Sequence, residues 1–130
     1  MAAYAHAALQ SRVQAFEREM ANAFASADIV VARAGASTCF ELAACGKAAM
    51  LIPLPSAMRN HQHFNAEAFV ASGAADEGIQ SSLTAKQLYL YLMGCYDRPE
   101  RLAEMSTKMR TLATPDAASR VADLVELAAK

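Results

Sequence analysis

Two turns carry the side chains of this sequence that could bind a ligand. The first, Arg33-Ala34-Gly35-Ala36-Ser37-Thr38, follows an apolar run at 29–32 and leads into a helical pattern. Gly35 would allow a tight bend and a close approach of ligand to backbone. The N–H groups at the start of the next helix favour an anion such as a diphosphate. However, Thr38-Cys39-Phe40-Glu41 also fits a capping box, in which Glu41 only bonds back to the cap residue. The spacing alone leaves both interpretations open.

The second turn, from Pro53 to Asn65, is rich in amide and imidazole groups. His61 and Asn65 are four residues apart, so they share one face of a helix, and Gln62 is next to them. Neutral donors and acceptors of this kind suit sugar hydroxyls. The alternative is a solvated first turn with Asn60 as N-cap. His61 and His63 diverge on a helix, so we expect no metal site.

Apolar runs alternate with helical patterns as far as residue 80. The predicted strands are 29–32, 48–52, a short edge strand at 75–79 and a weak strand at 12–16. The predicted helices up to this point are 3–10, 17–27, 37–45 and 60–72. Three helices follow, starting near Thr84, Pro99 and Asp116. This order predicts half of a doubly wound α/β fold, a short parallel sheet with flanking helices and a helical C-terminal tail. Both polar turns would lie at the carboxyl edge of the sheet, where open α/β proteins bind ligands.

The composition fits one domain of 130 residues and argues against several classes of function. A net charge of −1 gives no electrostatic reason to expect nucleic acid or an anionic membrane as a partner. Apolar stretches are too short to span a bilayer, and no signal peptide is recognisable. The three cysteines have no metal-type or disulfide-type spacing, which predicts reduced thiols. Neither Ser37 nor Ser56 lies in a nucleophile elbow, so we assign no catalytic residue and expect no cofactor.

The two turns together resemble a known family. The segments 28–42, 46–47, 51–55 and 60–67 look like the carboxyl-terminal domain of the MurG family, inverting N-acetylglucosaminyltransferases of the GT-B class. The combination of R-A-G-A-S-T-x-x-E with N-H-Q-x-x-N-A at this separation is specific. The resemblance begins around Tyr4 and continues to the end of the chain. It implies that 1–130 is a single, truncated, Rossmann-like domain that binds UDP-N-acetylglucosamine.

The resemblance also implies which residues bind the donor. They are Phe16, Glu17, Arg33, Gly35, Ala36, Ser37, Thr38, Glu41, His61, Gln62 and Asn65. Glu41 would bind the ribose hydroxyls, and the backbone around Phe16 and Glu17 would pair with uracil.

The other implied donor contacts surround the diphosphate and the sugar. Residues 36–38 would line both groups, while Gln62 and Asn65 would hold the sugar hydroxyls, with His61 beside them. In the family, the reaction transfers N-acetylglucosamine to the muramyl sugar of a polyprenyl-diphosphate lipid. GT-B enzymes of this type need no tightly bound metal.

Two parts of a full family member have no counterpart in these 130 residues. One is the amino-terminal domain that binds the lipid acceptor and supplies the catalytic base, and the other is a G-G-S-x-G phosphate loop. We therefore expect a truncated or split enzyme that binds donor but is inactive alone. The alternatives are the donor-binding subunit of a two-chain transferase and a non-catalytic nucleotide-sugar-binding remnant. The resemblance implies a cytoplasmic protein, held at the inner face of the plasma membrane through the other half. An exposed sheet edge and apolar helix faces predict self-association.

Overall fold

A computed structural model describes residues 10–56 and 60–129 of the chain. Three short strands form a parallel sheet with the order β1-β2-β3: β1 is Val30–Ala32, β2 is Ala49–Leu51 and β3 is Ala75–Glu77. Val31 is paired with Met50, and Met50 with Asp76. All three residues of β2 are buried, as expected for a central strand covered on both faces. The predicted α/β class and parallel sheet are confirmed.

Six helices surround or extend this sheet in the described residues. They are α1 (Met20–Ser26), α2 (Ala36–Cys45), α3 (His61–Ala71), α4 (Ala85–Tyr96), α5 (Pro99–Thr111) and α6 (Ala117–Ala128). Helices α2 and α3 connect the strands and pack against each other, while α5 packs on α2. The core between these layers includes Leu42, Leu51, Phe69 and Met109.

Local stop and start signals place several of these helix ends. Gly46 ends α2 in the left-handed conformation, with φ 61°, which glycine adopts readily. Thr84 starts α4 with a capping box, in which its hydroxyl accepts from Gln87 N–H and the Gln87 side chain accepts from Thr84 N–H. Pro99 occupies the first turn of α5. The predicted boundaries at these three points are confirmed.

The amino-terminal predictions were less accurate. The expected strand at 12–16 is irregular, and α1 starts at Met20 rather than Glu17, so Glu17 and Glu19 precede the helix. The reason is local, because a Glu17 carboxylate oxygen accepts the Glu19 N–H at 2.9 Å, and such side-chain bonds compete with helix formation. The helix expected at 3–10 falls almost wholly outside the described residues.

A charged cluster on the sheet holds two helices of the tail. Arg101 of α5 donates from Nη2 to both carboxylate oxygens of Asp76, at 2.9 and 2.7 Å, and the Tyr91 hydroxyl of α4 donates to the same carboxylate at 2.7 Å. Burial, and then the neighbouring Asp76 carboxylate, raise the pKa of Tyr91 well above its usual range. These contacts join β3, α4 and α5 into one unit.

Helix α6 differs from the others because none of its residues is buried. Its side chains Val121, Leu124 and Val125 recur at helical spacing and are each about 60% exposed. In the described part of the chain, no helix is long and apolar enough to cross a membrane.

Candidate functional site

The carboxyl ends of β1 and β2 bring the two polar turns into contact. From the first turn, the Arg33 guanidinium donates through Nη1 to the carbonyl oxygen of Pro53 (3.4 Å), which begins the second turn, and to that of Ile52 (3.2 Å) just before it. In the other direction, Asn65 of α3 donates from Nδ2 to the carbonyl of Ala34 at 3.0 Å. Side chains from both turns therefore fix the turns relative to each other at one edge of the sheet.

The N-terminus of α2 lies between these contacts. Gly35 is the N-cap residue, and Cys39 N–H donates to its carbonyl oxygen at 3.0 Å. The N–H groups of residues 36–38 come too early in the helix to have an acceptor within it. Within the described residues, no side chain caps this helix end. Because the aligned peptide dipoles also make the end electropositive, it suits an anionic group.

The geometry of this turn corrects two expectations. The capping-box interpretation was wrong, since Thr38 is the third residue of α2 rather than its cap. The bend does not need a glycine either, because Gly35 has φ −68° and ψ 146°, which any residue can adopt. What Gly35 provides is space: a Cβ atom added there would meet no heavy atom within 4 Å.

Ser37 and Glu41 lie one turn apart on the exposed side of α2. Both are exposed, and their spacing of four residues places them on one face. Since Glu41 does not cap the helix, its carboxylate is available to accept hydrogen bonds from a ligand.

The second turn is held by Gln62. Its Oε1 accepts the Leu54 N–H at 2.9 Å, so its amide nitrogen is the group that can still donate to a ligand. His61 is exposed at the first position of α3. Asn60 takes the N-cap position in the left-handed conformation, with φ 55° and no side-chain cap bond.

Phe16 and Glu17 belong to a separate local cluster. Glu17 pairs with Arg12 at 3.1 Å and accepts from the Gln14 amide. The Glu19 N–H bond, together with these two partners, lowers the pKa of Glu17. Phe16 is 78% exposed. None of the hydrogen bonds described for this segment joins it to the two turns.

One contact at this edge of the sheet could not be predicted from neighbouring residues in the sequence. His63 of α3 lies 2.9 Å through Nδ1 from the Glu77 carboxylate at the end of β3. His63 therefore faces β3, whereas Asn65 faces the turn after β1. Among the described residues, no three His, Cys, Asp or Glu side chains converge as metal ligands would.

Comparison with known proteins identifies the family to which this site belongs. The family model for the glycosyltransferase family 28 C-terminal domain matches residues 2–121. This chain belongs to glycosyltransferase family 28. A crystal structure of MurG from Acinetobacter baumannii superposes on 96% of the chain with a TM-score of 0.86 and 37% sequence identity. The chain thus has the sequence and fold of a MurG carboxyl-terminal domain.

Curated relatives agree with this assignment. Two of them are named UDP-N-acetylglucosamine–N-acetylmuramyl-(pentapeptide) pyrophosphoryl-undecaprenol N-acetylglucosamine transferase. The protein from Gloeobacter violaceus is 45% identical over 88% of this chain, and the one from Caulobacter vibrioides is 39% identical over 98%. The matched region spans 32% and 35% of those relatives and 38% of the A. baumannii chain. The family 28 chain described here therefore corresponds to about one third of each.

Proposed function

We propose that residues 1–130 form the donor-binding domain of a MurG-type N-acetylglucosaminyltransferase and bind UDP-N-acetylglucosamine. The observation that carries this proposal is the uncapped N-terminus of α2 beside the open space at Gly35. A diphosphate placed there would accept from the N–H groups of residues 36–38. The relatives whose names include UDP-N-acetylglucosamine support the choice of nucleotide sugar.

The surrounding groups suit the rest of such a donor. Glu41 would accept hydrogen bonds from the ribose hydroxyls, because its carboxylate is exposed on the face that carries Ser37. Gln62 and Asn65, held by the second turn and by Ala34, would contact the sugar, with His61 beside them. Arg33 would add positive charge near the diphosphate.

We also propose that the backbone at residues 16–17 pairs with uracil. The Glu17 carboxylate is occupied by Arg12 and Gln14, which leaves the backbone as the group to recognise the base. The exposed ring of Phe16 lies next to this segment and could cover one face of the uracil.

Transfer of the sugar needs groups beyond the donor site. Inversion at the anomeric carbon requires a base that takes the proton of the acceptor hydroxyl while UDP leaves. The donor site proposed here includes no such base. We infer that an acceptor-binding part, either further residues of the same polypeptide or a second chain, supplies it. Because the acceptor is a lipid, the assembled enzyme would work at the inner face of the plasma membrane, held there through the acceptor-binding part.

Reconstitution from two halves tests whether this chain binds the donor while another part supplies the acceptor site and the base. The chain would be mixed with UDP-N-acetylglucosamine and a lipid acceptor, with and without an amino-terminal half prepared from a relative. The expected result is transfer only when both halves are present. Robust transfer by the chain alone would contradict the inference that the acceptor-binding part is required. Binding of donor without transfer in any mixture would favour a non-catalytic nucleotide-sugar-binding protein.

The exposed surfaces of the chain support a further proposal, self-association of these 130 residues. β1 pairs only with β2 among the described strands, so its other edge presents backbone groups, and Val31 within it is 41% exposed. Helix α6 adds an apolar face. Light scattering should show a mass that rises with concentration, and a monomer at all concentrations would contradict the proposal.

A further inference from the structure

Helix α4 is apolar on two opposite faces. The inner face carries Tyr91, whose hydroxyl bonds to β3, and Cys95, which is buried. The outer face carries large side chains that are each 37–80% exposed, namely Tyr89, Leu90, Met93 and Tyr96. The residues from 88 to 96 include no charged side chain. Because a helix that is apolar all round is normally buried, the outer face of α4 has the character of an interaction surface.

A charged residue marks each end of this surface. One stripe along the helix holds four residues at successive spacings of four, three and four positions: Lys86, Leu90, Met93 and Asp97. Asp97 is the C-cap residue of α4 and keeps helical geometry, with φ −71° and ψ −16°, so the stripe extends to it. Both charged side chains are exposed, and neither forms an ion pair within the described residues. The stripe is therefore positive at its amino end, apolar in the middle and negative at its carboxyl end.

These charges become complementary when two copies of the helix run antiparallel. About a two-fold axis, Lys86 of each copy would lie opposite Asp97 of the other, so two ion pairs would form. Leu90 would lie opposite Met93 in the same register, because this pair is centred on the same point of the helix as the charged pair. A parallel arrangement would instead place like charges opposite each other. The order of the stripe therefore favours a second, antiparallel copy of the same helix.

Two tyrosines extend the surface on one side of the stripe. Tyr89 and Tyr96 are seven residues apart, about two helical turns, so they share that side. In the antiparallel register, Tyr89 of one copy would lie near Tyr96 of the other, and aromatic pairs of this kind stabilise an interface. Tyrosine and methionine are also enriched at protein–protein interfaces. The outer face of α4 thus has side chains suited to contact with protein.

We propose that the outer face of α4 is a dimer interface, through which two copies of this chain pair antiparallel. One helix face is small compared with the roughly 800 Å² per partner of stable complexes, so we expect a weak, reversible dimer. The surface shares no residue with the proposed donor site, and the inference goes beyond the proposed function. It is also separate from the β1 edge and from α6, the two other surfaces with exposed apolar side chains.

Charge reversal tests the antiparallel register. Sedimentation equilibrium of the 130-residue protein should show monomer and dimer in exchange. Lys86→Glu and Asp97→Lys should each raise the dissociation constant about tenfold, since two exposed ion pairs become repulsive at once. An equimolar mixture of these two variants should dimerise nearly as well as wild type, because both pairs in the mixed dimer are attractive again. The double variant, which carries both substitutions, should recover in the same way.

A substitution in the apolar middle of the stripe tests the same surface without changing its charge. Leu90→Gln keeps a residue that favours helix but removes the apolar contact with Met93, so the dimer should weaken at least several-fold. Leu124→Gln is the matched control, because Leu124 is 65% exposed on α6, outside the proposed surface. It should leave the dissociation constant unchanged. Weakening by Leu124→Gln and not by Leu90→Gln would overturn the assignment to α4.

Other outcomes would also overturn the proposal. A monomer at millimolar concentration would do so, as would a dimer that is insensitive to the charge reversals or one that fails to recover in the mixture. A wild-type monomer that floats with phosphatidylglycerol vesicles, and loses this property in Leu90→Gln, would identify a bilayer as the occupant instead. Titration with UDP-N-acetylglucosamine should give the same affinity for all variants, so failure of the dimer leaves the proposed donor site standing.

Discussion

Replacing Gly35 by serine should stabilise the fold and weaken donor binding at once. The backbone at Gly35 already has the extended conformation typical of N-cap residues, and a Cβ atom would have open space. Serine caps a helix better than glycine by a few tenths of a kcal/mol, and removing a glycine from the unfolded chain adds about 0.4–1 kcal/mol. The sum is about 1 kcal/mol, which should raise the melting temperature by about 4 °C in a domain of this size.

The effect on binding has the opposite sign. The serine hydroxyl would accept from the first N–H groups of α2, which are the groups proposed to hold the diphosphate. Its Cβ would also occupy the open space in front of residue 35. We expect the affinity for UDP-N-acetylglucosamine to fall at least tenfold, about 1.4 kcal/mol. Thermal unfolding and calorimetric titration of the same preparation measure both effects.

Gly35→Ala is the matched control for the hydroxyl. Alanine gives the same relief of unfolded-state entropy but caps poorly, so the two effects nearly cancel and the free energy of unfolding should change by less than about 0.5 kcal/mol. Donor affinity should fall less than in Gly35→Ser, because only the methyl group intrudes. A stabilised Gly35→Ser protein that binds donor as well as wild type would refute the placement of the diphosphate. Destabilisation of the Gly35→Ser protein would contradict the conclusion that a side chain fits at residue 35 without steric conflict.

Three further perturbations test the surrounding structure. Gly46→Ala, in contrast to Gly35→Ala, should lower the free energy of unfolding by at least about 1–2 kcal/mol, as measured by chemical denaturation. The reason is that Gly46 has φ 61° and that the new Cβ would overlap the Arg110 side chain. Asp76→Ala should lower the free energy of unfolding by about 1–2 kcal/mol in the same assay, since Arg101 and Tyr91 lose their shared, partly exposed carboxylate. An unchanged denaturation midpoint would contradict the stabilising role of this cluster. The raised pKa of Tyr91 means that the folded state holds its phenolic proton more tightly than the unfolded state. The free energy of unfolding should therefore be constant through neutral pH and fall above about pH 10, and Tyr91→Phe should flatten that fall.

Features encoded by consecutive residues could be predicted from the sequence. The apolar run that became β2, the helix end at Gly46 and the helix start at Thr84 each depend on a few neighbouring residues, and all three are confirmed. The predicted strands were one or two residues too long at one or both ends, because each parallel pairing covers only three positions. Such limits depend on the partner strand rather than on the strand itself.

The errors came from places where two local patterns competed. Thr38 and Glu41 have the spacing of a capping box, yet α2 starts at Ala36, three residues earlier than a box capped by Thr38 requires. Glu17 seemed suited to a first helical turn, but its carboxylate binds the Glu19 N–H and side chains before it. In both cases the residue types were consistent with either structure.

Contacts between distant segments could not be predicted in this way. The Arg33 bonds to the carbonyls after β2 and the pairing of His63 with Glu77 join residues separated by 14 to 20 positions. Sequence periodicity contains no information on such pairs. The eleven donor-binding residues remain a prediction, although the structure brings Arg33, Gly35, Gln62 and Asn65 to one edge of the sheet.

The central claim is that this chain binds UDP-N-acetylglucosamine at the N-terminus of α2. A calorimetric titration of the 130-residue protein with that donor tests it most directly, with Gly35→Ser run in parallel. The account predicts saturable heat with one site per chain, competition by UDP and a weaker response from the stabilised Gly35→Ser variant. No heat at millimolar UDP-N-acetylglucosamine, from protein shown to be folded by its cooperative thermal transition, would contradict it.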